Sequence, residues 1–538
     1  MRNNQIPGGA TTGRTTADAR EDVSQSLTGR RGRLARVLGG RVLVWFMFLR
    51  AAVAKDIYVA QNTTGSGSGA DASDCCSAAW FNTGANWGSG AGLISPGDTV
   101  HLVGTITTAL TVQSSGTSGN PITILFSSGA IMTAPYWPST AAINLQGYSY
   151  LVVDGGPNGT IQCTANGTAL ANQVAAGAVN AAGNNITVQN LIITNLYVRQ
   201  AGATDSITSG GIGFQNSGLA NIIIRNNTIS WCYCPIWIGW YGSGNANIQI
   251  YSNTCYYANW GIATGDQEAS SSLNGLYIHH NRISGLSYWD DPSDNNHHDG
   301  IFCWCVQGNS TLNNLQVYDN VIGPDLGTGA NCTAGIYISS LNPDPINSPL
   351  VYNNVLYTSA ADLGVPSNGF ICLSEVTGGY VLNNTTDATG ASTPTTIGLR
   401  VYAGSGVVVR NNIFSNNGLP IYNDDTTSSG VSACDYNDYY NDSGDFYYNG
   451  GEISYASWQA LGFDSHSLTA NPLYVNAPAF NFDTQSGSPC ATAGTNESAY
   501  FTTDIAGGSR PSGSGWSIGA YQYPAPPVPP TGVHVVLP

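Results

Sequence analysis

One short pattern returns along most of the chain and limits what it can fold into: a β-branched run, a polar residue, Asn, then an apolar residue. It reads ITVQNLII at 186–193, IIIRNNTI at 222–229, IQIYSNTC at 248–255, LYIHHNRI at 276–283, LQVYDNVI at 315–322, PLVYNNVL at 349–356, YVLNNTT at 380–386 and VVVRNNIF at 407–414. The Asn falls at 190, 227, 253, 281, 320, 354, 384 and 412, in steps of 37, 26, 28, 39, 34, 30 and 28 residues. A constant motif with insertions of variable length is how a solenoid is written. The runs alternate with period two and lack helical periodicity, so each coil is built of strands. Stacking such coils gives an all-β parallel β-helix, with successive strands about 4.8 Å apart. The Asn at one fixed corner is then expected to form a ladder, each amide bonding the next coil. A leucine-rich horseshoe would need Leu at fixed offsets, and a β-sandwich would need hairpin turns.

A second segment aligns the coils on another strand: GIGFQ from Gly211, PIWIGW from Pro235, GIATGD from Gly261, GIFCWC from Gly300, GIYISS from Gly335, GFICLS from Gly369, GLRVYA from Gly398 and PIYNDD from Pro420. Alternation points the second and fourth residues inward and the third and fifth outward. The outward third column reads Gly213, Trp237, Ala263, Phe302, Tyr337, Ile371, Arg400 and Tyr422, and the fifth adds Trp304 and Tyr402. Aromatic rings on an open sheet are suited to stacking on the apolar faces of sugars. Trp237, Trp260, Phe302, Trp304, Tyr337, Arg400 and Tyr402 are therefore the expected substrate-binding residues.

The remaining composition narrows the function. Residues 30–54 carry a basic stretch, an apolar run from Val42 to Leu49 and Ala52-Val53-Ala54, the pattern of a secretory signal cleaved after Ala54. Losing the nine Arg and three acids of residues 1–54 leaves 7 basic and 29 acidic residues, a net charge of −22. So acidic a chain disfavours nucleic acid, whose phosphates need Lys and Arg. Lys55 is the only lysine, which all but removes a lysine base. Twelve Cys in an exported chain point to structural cysteines or disulfides rather than zinc. Three segments are expected: a leader over 1–54, a β-helix domain over 55–523 and a proline-rich tail over 524–538. The mature protein is expected to be secreted or cell-surface, monomeric and without a membrane span.

With the repeat stand KDIYVAQNTTGSGSG at 55–69, SPGDTVHLVGTITTALTVQSSGTSGNPITI at 95–124 and the closing DIAGGSRPSGSGWSIGAYQY at 504–523. On these residues the chain resembles the right-handed parallel β-helix proteins of the pectin-lyase-like superfamily. That resemblance implies a solenoid over nearly all of the mature chain. It leaves chemistry open, since the superfamily holds polysaccharide lyases, glycoside hydrolases, epimerases, esterases and non-catalytic adhesins.

The stretch DDPSDNNHHDGIFCWC at 290–305 concentrates acids and histidines in an otherwise charge-poor chain. Glycoside hydrolysis needs two carboxyl groups about 5–5.5 Å apart for retention or about 6.5–9.5 Å apart for inversion. Asp299 is the leading candidate, with Asp294 or Asp291 as partner and His298 tuning it; Asp266 and Glu268 are second choices. Elimination on a uronate would instead need a base, His298 or Arg400, and a cation held by Asp290, Asp291, Asp294 and Asn296, for which Ca²⁺ suits the oxygen-rich set. No cofactor is required for hydrolysis. Scarce bases and plentiful acids place a polysaccharide hydrolase ahead of a Ca²⁺-dependent lyase. A non-catalytic glycan-binding or adhesive solenoid is the alternative from another class.

Overall fold

The computed structural model describes residues 54–205, 207–290, 298–327, 332–341, 345–359, 367–389, 396–424 and 430–524. The expected leader and tail fall largely outside them. Three sheets of 15, 12 and 13 strands, parallel except for one antiparallel pair at the C-terminal end of the third, share the chain, each coil giving one strand to each face in turn. The first complete coil runs through Thr99–Leu102, Thr105–Ile106 and Leu110–Thr111, the last through Val431–Asp435, Asp438–Tyr440 and Asp445–Tyr448. This is a parallel β-helix, with the right-handed winding that parallel crossovers take. No helix among the described residues is long and apolar enough to cross a membrane.

The core follows from the alternation. First-face pairs such as Ile222/Ile224, Ile248/Ile250, Leu276/Ile278 and Leu315/Val317 stand in register and are buried. Their neighbours Arg225, Tyr251, His279 and Tyr318 point outward. The helix Ala78–Phe81 packs buried Phe81 against Trp87 near the N-terminal end. The helix Tyr455–Ala460, capped by Ser454, buries Trp458 against Phe446 near the other. The chain then folds back: Phe501 and Trp516 pack on Tyr352 and Leu382 of the first face.

The corner between first and second faces explains the repeat. A residue in the left-handed region, such as Asn226, Ser252, His280, Asp319 or Asn353, is followed by the ladder Asn. Short polar side chains tolerate that backbone better than branched ones. Asn227, Asn253, Asn281, Asn320, Asn354, Asn384, Asn412 and Asn437 then form one continuous buried ladder. Each Nδ2 donates to the Oδ1 of the next at 2.9–3.1 Å. Each also donates to a carbonyl one coil back, as Asn320 does to Ile278 at 2.9 Å. Asp464 closes the C-terminal end, accepting from Asn437 at 3.2 Å, Tyr439 at 2.8 Å and Trp458 at 2.6 Å.

Two expectations need correction. Asn190 is not a rung: it holds the left-handed position, and Leu191 stands where the Asn would be, its N–H donating to Asn227 at 3.0 Å. The eleven cysteines whose side chains are described are buried and form no disulfides. Cys303 and Cys305 are two apart on one strand, so both point into the core as small hydrophobes.

Truncating one rung orphans donors on its neighbour. Asn320→Ala removes the acceptor of both the Asn281 N–H and its Nδ2, at about 1–3 kcal/mol for each buried group left unpaired. The urea midpoint of Asn320→Ala should fall well below that of the exposed control Asn274→Ala, which should stay within about 0.5 kcal/mol of wild type. Equal midpoints would contradict the ladder's role.

Candidate functional site

The third face carries the site, and a bend at its upstream edge shapes it. A Cβ on Gly300 would lie 2.5 Å from the Gly335 carbonyl and 2.7 Å from core Ile322. Gly300 and Ile301 thus both turn toward the core, and Asp299 precedes them where the register shifts between His298 and Asp299. Gly261 repeats the bend one coil earlier, with Trp260 paired to Asp299.

Trp260 thereby joins the outward rings. It lies 6.1 Å from Trp237 with planes 15° apart, and 5.9 Å from Phe302. Phe302 stacks on Tyr337 at 5.2 Å and 9°. Trp237, Trp260, Phe302 and Tyr337 are half-buried, whereas Trp304 is 9% exposed and donates from Nε1 to the Asp266 carbonyl at 3.3 Å. Trp304 is thus more wall than platform. Upstream of Trp237 the outward position is Gly213, and its missing side chain opens a cavity of about 420 Å³ lined by Asn180, Gln215, Tyr233, Trp237 and Trp260.

Downstream, the register corrects the expected column. Tyr337 pairs with Cys372, not Ile371, and Cys372 with Arg400. Ile371 is fully buried in the core. Tyr337, Cys372, Arg400 and Tyr402 line a second cavity of about 280 Å³ with Asn368 and Ser374. Arg400 donates to Asp424 at 2.7 Å and to Asn368, and its guanidinium lies 5.0 Å from the Tyr422 ring and 5.4 Å from the Tyr402 ring. Burial opposes its charge most strongly, but the Asp424 hydrogen bond together with the charges of Asp424 and the other ionisable groups around it raises its pKa. Burial pushes the Cys372 thiol up to about 12 and holds Tyr337 protonated, with Asp299 adding to both effects. Cys372 is therefore no thiolate nucleophile. Cys372, Asn368 and Asp424 were not singled out in the sequence; only the pairing register reveals them.

The candidate acids part company. Asp299 is fully buried and accepts the Ala334 N–H at 3.0 Å. His298, also fully buried, places Nε2 3.1 Å from Asp290 Oδ1. Asp266 lies six residues downstream of Trp260, the partner of Asp299, so about 20 Å separates the two acids along the strand. That is far beyond a glycosidase pair. Asp266 accepts backbone N–H bonds from Val306 at 2.9 and 3.0 Å and from Gln307 at 2.7 Å, and so holds a turn. Glu268 is exposed at the same edge. Asp291, Asp294 and Asn296 lie outside the described residues, so of the expected calcium set only Asp290 is placed. Among the described residues no group of three or more His, Cys, Asp or Glu converges as a metal site.

No protein-family model matches the chain, and no curated protein matches its sequence. Solved structures that match in shape include the pectate lyase Pel9A, at 14% identity over 87% of this chain and 96% of that one, with a TM-score of 0.44. XylC in complex with xylose matches at 11% identity over 87% and 98%, with a TM-score of 0.46. A family 28 exopolygalacturonase of Yersinia enterocolitica matches at 11% identity over 77% and 78%, with a TM-score of 0.32. These likenesses assign no residue of this chain a role.

The two acids should separate in stability. Asp266→Ala leaves the Val306 and Gln307 N–H groups unpaired, a loss on the order of 3 kcal/mol in urea unfolding. Glu268→Gln should stay within about 0.5 kcal/mol of wild type. An Asp266→Ala variant as stable as wild type would overturn the structural assignment.

Proposed function

We propose that the protein is a secreted carbohydrate-active enzyme that lays a polysaccharide along the third face, with glycoside hydrolysis as its reaction. The observation that carries this reading is the run of half-buried rings, Trp237, Trp260, Phe302 and Tyr337, beside the buried carboxyl of Asp299. Rings supply flat apolar contact for sugar faces. A carboxyl beside the sugar-stacking rings suits general acid or base work on the glycosidic oxygen. Asp294 or Asp291 is the proposed second carboxyl.

Charge favours a neutral glycan over a polyuronate. Among the described residues Arg400 is the one cation lining the downstream cavity, and Asp424 already neutralises it. Asp299 adds a further carboxyl nearby, and the mature chain carries −22 overall. A polyanionic substrate would meet repulsion unless a cation such as Ca²⁺ intervened.

The test incubates the protein with neutral and uronic polysaccharides and follows both reducing ends and unsaturated products. Hydrolysis predicts reducing ends without unsaturation. Asn at position 299 keeps an oxygen for the Ala334 N–H, so Asp299→Asn should fold normally yet lose about 10²–10⁴-fold in kcat. Trp260→Ala should mainly raise KM. Unsaturated products would replace hydrolysis with elimination; glycan binding without product would leave a non-catalytic binder; full activity in Asp299→Asn would remove the assignment.

A further inference from the structure

Away from the third face, the outer side of the first face brings two imidazoles together at one corner. In the other coils the last strand residue and the left-handed corner residue pair as Arg225-Asn226, Tyr251-Ser252, Tyr318-Asp319 or Tyr352-Asn353. Only the coil between carries two histidines, His279 and His280. The left-handed backbone of His280, at φ 55°, lets adjacent rings meet instead of pointing to opposite sides. Their Nδ1 atoms are 2.8 Å apart and hydrogen-bonded, so an ion entering between them would displace the proton they share.

We propose that His279 and His280 form a surface site for a divalent transition-metal ion, bound through both Nδ1 atoms. Ring nitrogens bind such ions at about 2.0–2.1 Å. Two nitrogens 2.8 Å apart then subtend about 85–90° at the metal, the cis angle of tetragonal or octahedral coordination. A tetrahedral ion would need them about 3.4 Å apart, so the geometry selects Cu²⁺ or Ni²⁺ over Zn²⁺.

The surroundings hold both rings ready. His279 is stacked between Tyr251, at 4.8 Å and 4°, and Tyr318, at 4.6 Å and 9°, so its plane is fixed before any ion arrives. His280 stands nearly perpendicular to it, at 79°. On the far side of His280, Nε2 lies 3.6 Å from the buried carboxyl group of Asp319.

The full chain, stripped of metal, is titrated with Cu²⁺ and followed by electron paramagnetic resonance and calorimetry. One Cu²⁺ per chain with a tetragonal two-nitrogen signal is expected, with Zn²⁺ binding at least tenfold more weakly. His280→Asn installs the residue other coils use at this corner, so the fold survives while affinity should fall at least tenfold. His101→Ala, at another first-face histidine, should bind as wild type. No stoichiometric Cu²⁺, undiminished binding in His280→Asn, or a preference for Zn²⁺ would overturn the site.

Discussion

Every coil from Asn227 to Asn437 is tied to the next by one buried amide at one corner. An Asn side chain offers two donors and an acceptor, and here all are used: one hydrogen to the rung ahead, one to a carbonyl behind, and the oxygen to the N–H and amide of the rung before. The corner is thereby pinned in two directions. Insertions of any length then enter elsewhere without disturbing the stack, which is why unit lengths vary while the motif does not. The ladder also sets the register of the third face, and with it which side chains become neighbours.

That register makes the candidate site. Trp237, Ala263, Phe302, Tyr337, Cys372 and Arg400 come from six successive coils and adjoin only because the coils are aligned. The same stacking gives the opposite result on the first face. There Tyr251, His279, Tyr318 and Tyr352 lie face to face with planes within 9° of parallel. Their faces are used up on one another. On the third face the rings stack only in pairs, Trp237 with Trp260 at 15° and Phe302 with Tyr337 at 9°, while the two pairs meet at 53° between Trp260 and Phe302. The two aromatic columns thus differ in how continuously their rings stack.

The β-helix was legible because its signal is local: a short motif and a period of two. The errors arose where locality fails. QNLII and RNNTI look alike, yet the rung falls on the residue after Asn190. GFICLS begins one residue earlier in its coil than its neighbours, so Cys372 and not Ile371 faces out. Export chemistry suggested disulfides, but the strand period buries the described thiols in the core instead. Asp266 looked like a rim acid because nothing near it in sequence shows that Val306 and Gln307 would donate to it. Asp299 was singled out from the acid-rich stretch before Gly300; its burial and the nearby Arg400 cavity came only from packing between coils.

The central claim is that the third-face rings and Asp299 form one glycan-binding surface. A crystal structure of Asp299→Asn soaked with an oligosaccharide tests it most directly. The account predicts sugar rings resting on Trp237, Trp260 and Phe302, with a glycosidic oxygen within hydrogen-bonding reach of residue 299. Sugars bound on another face, with the third face bare, would contradict it.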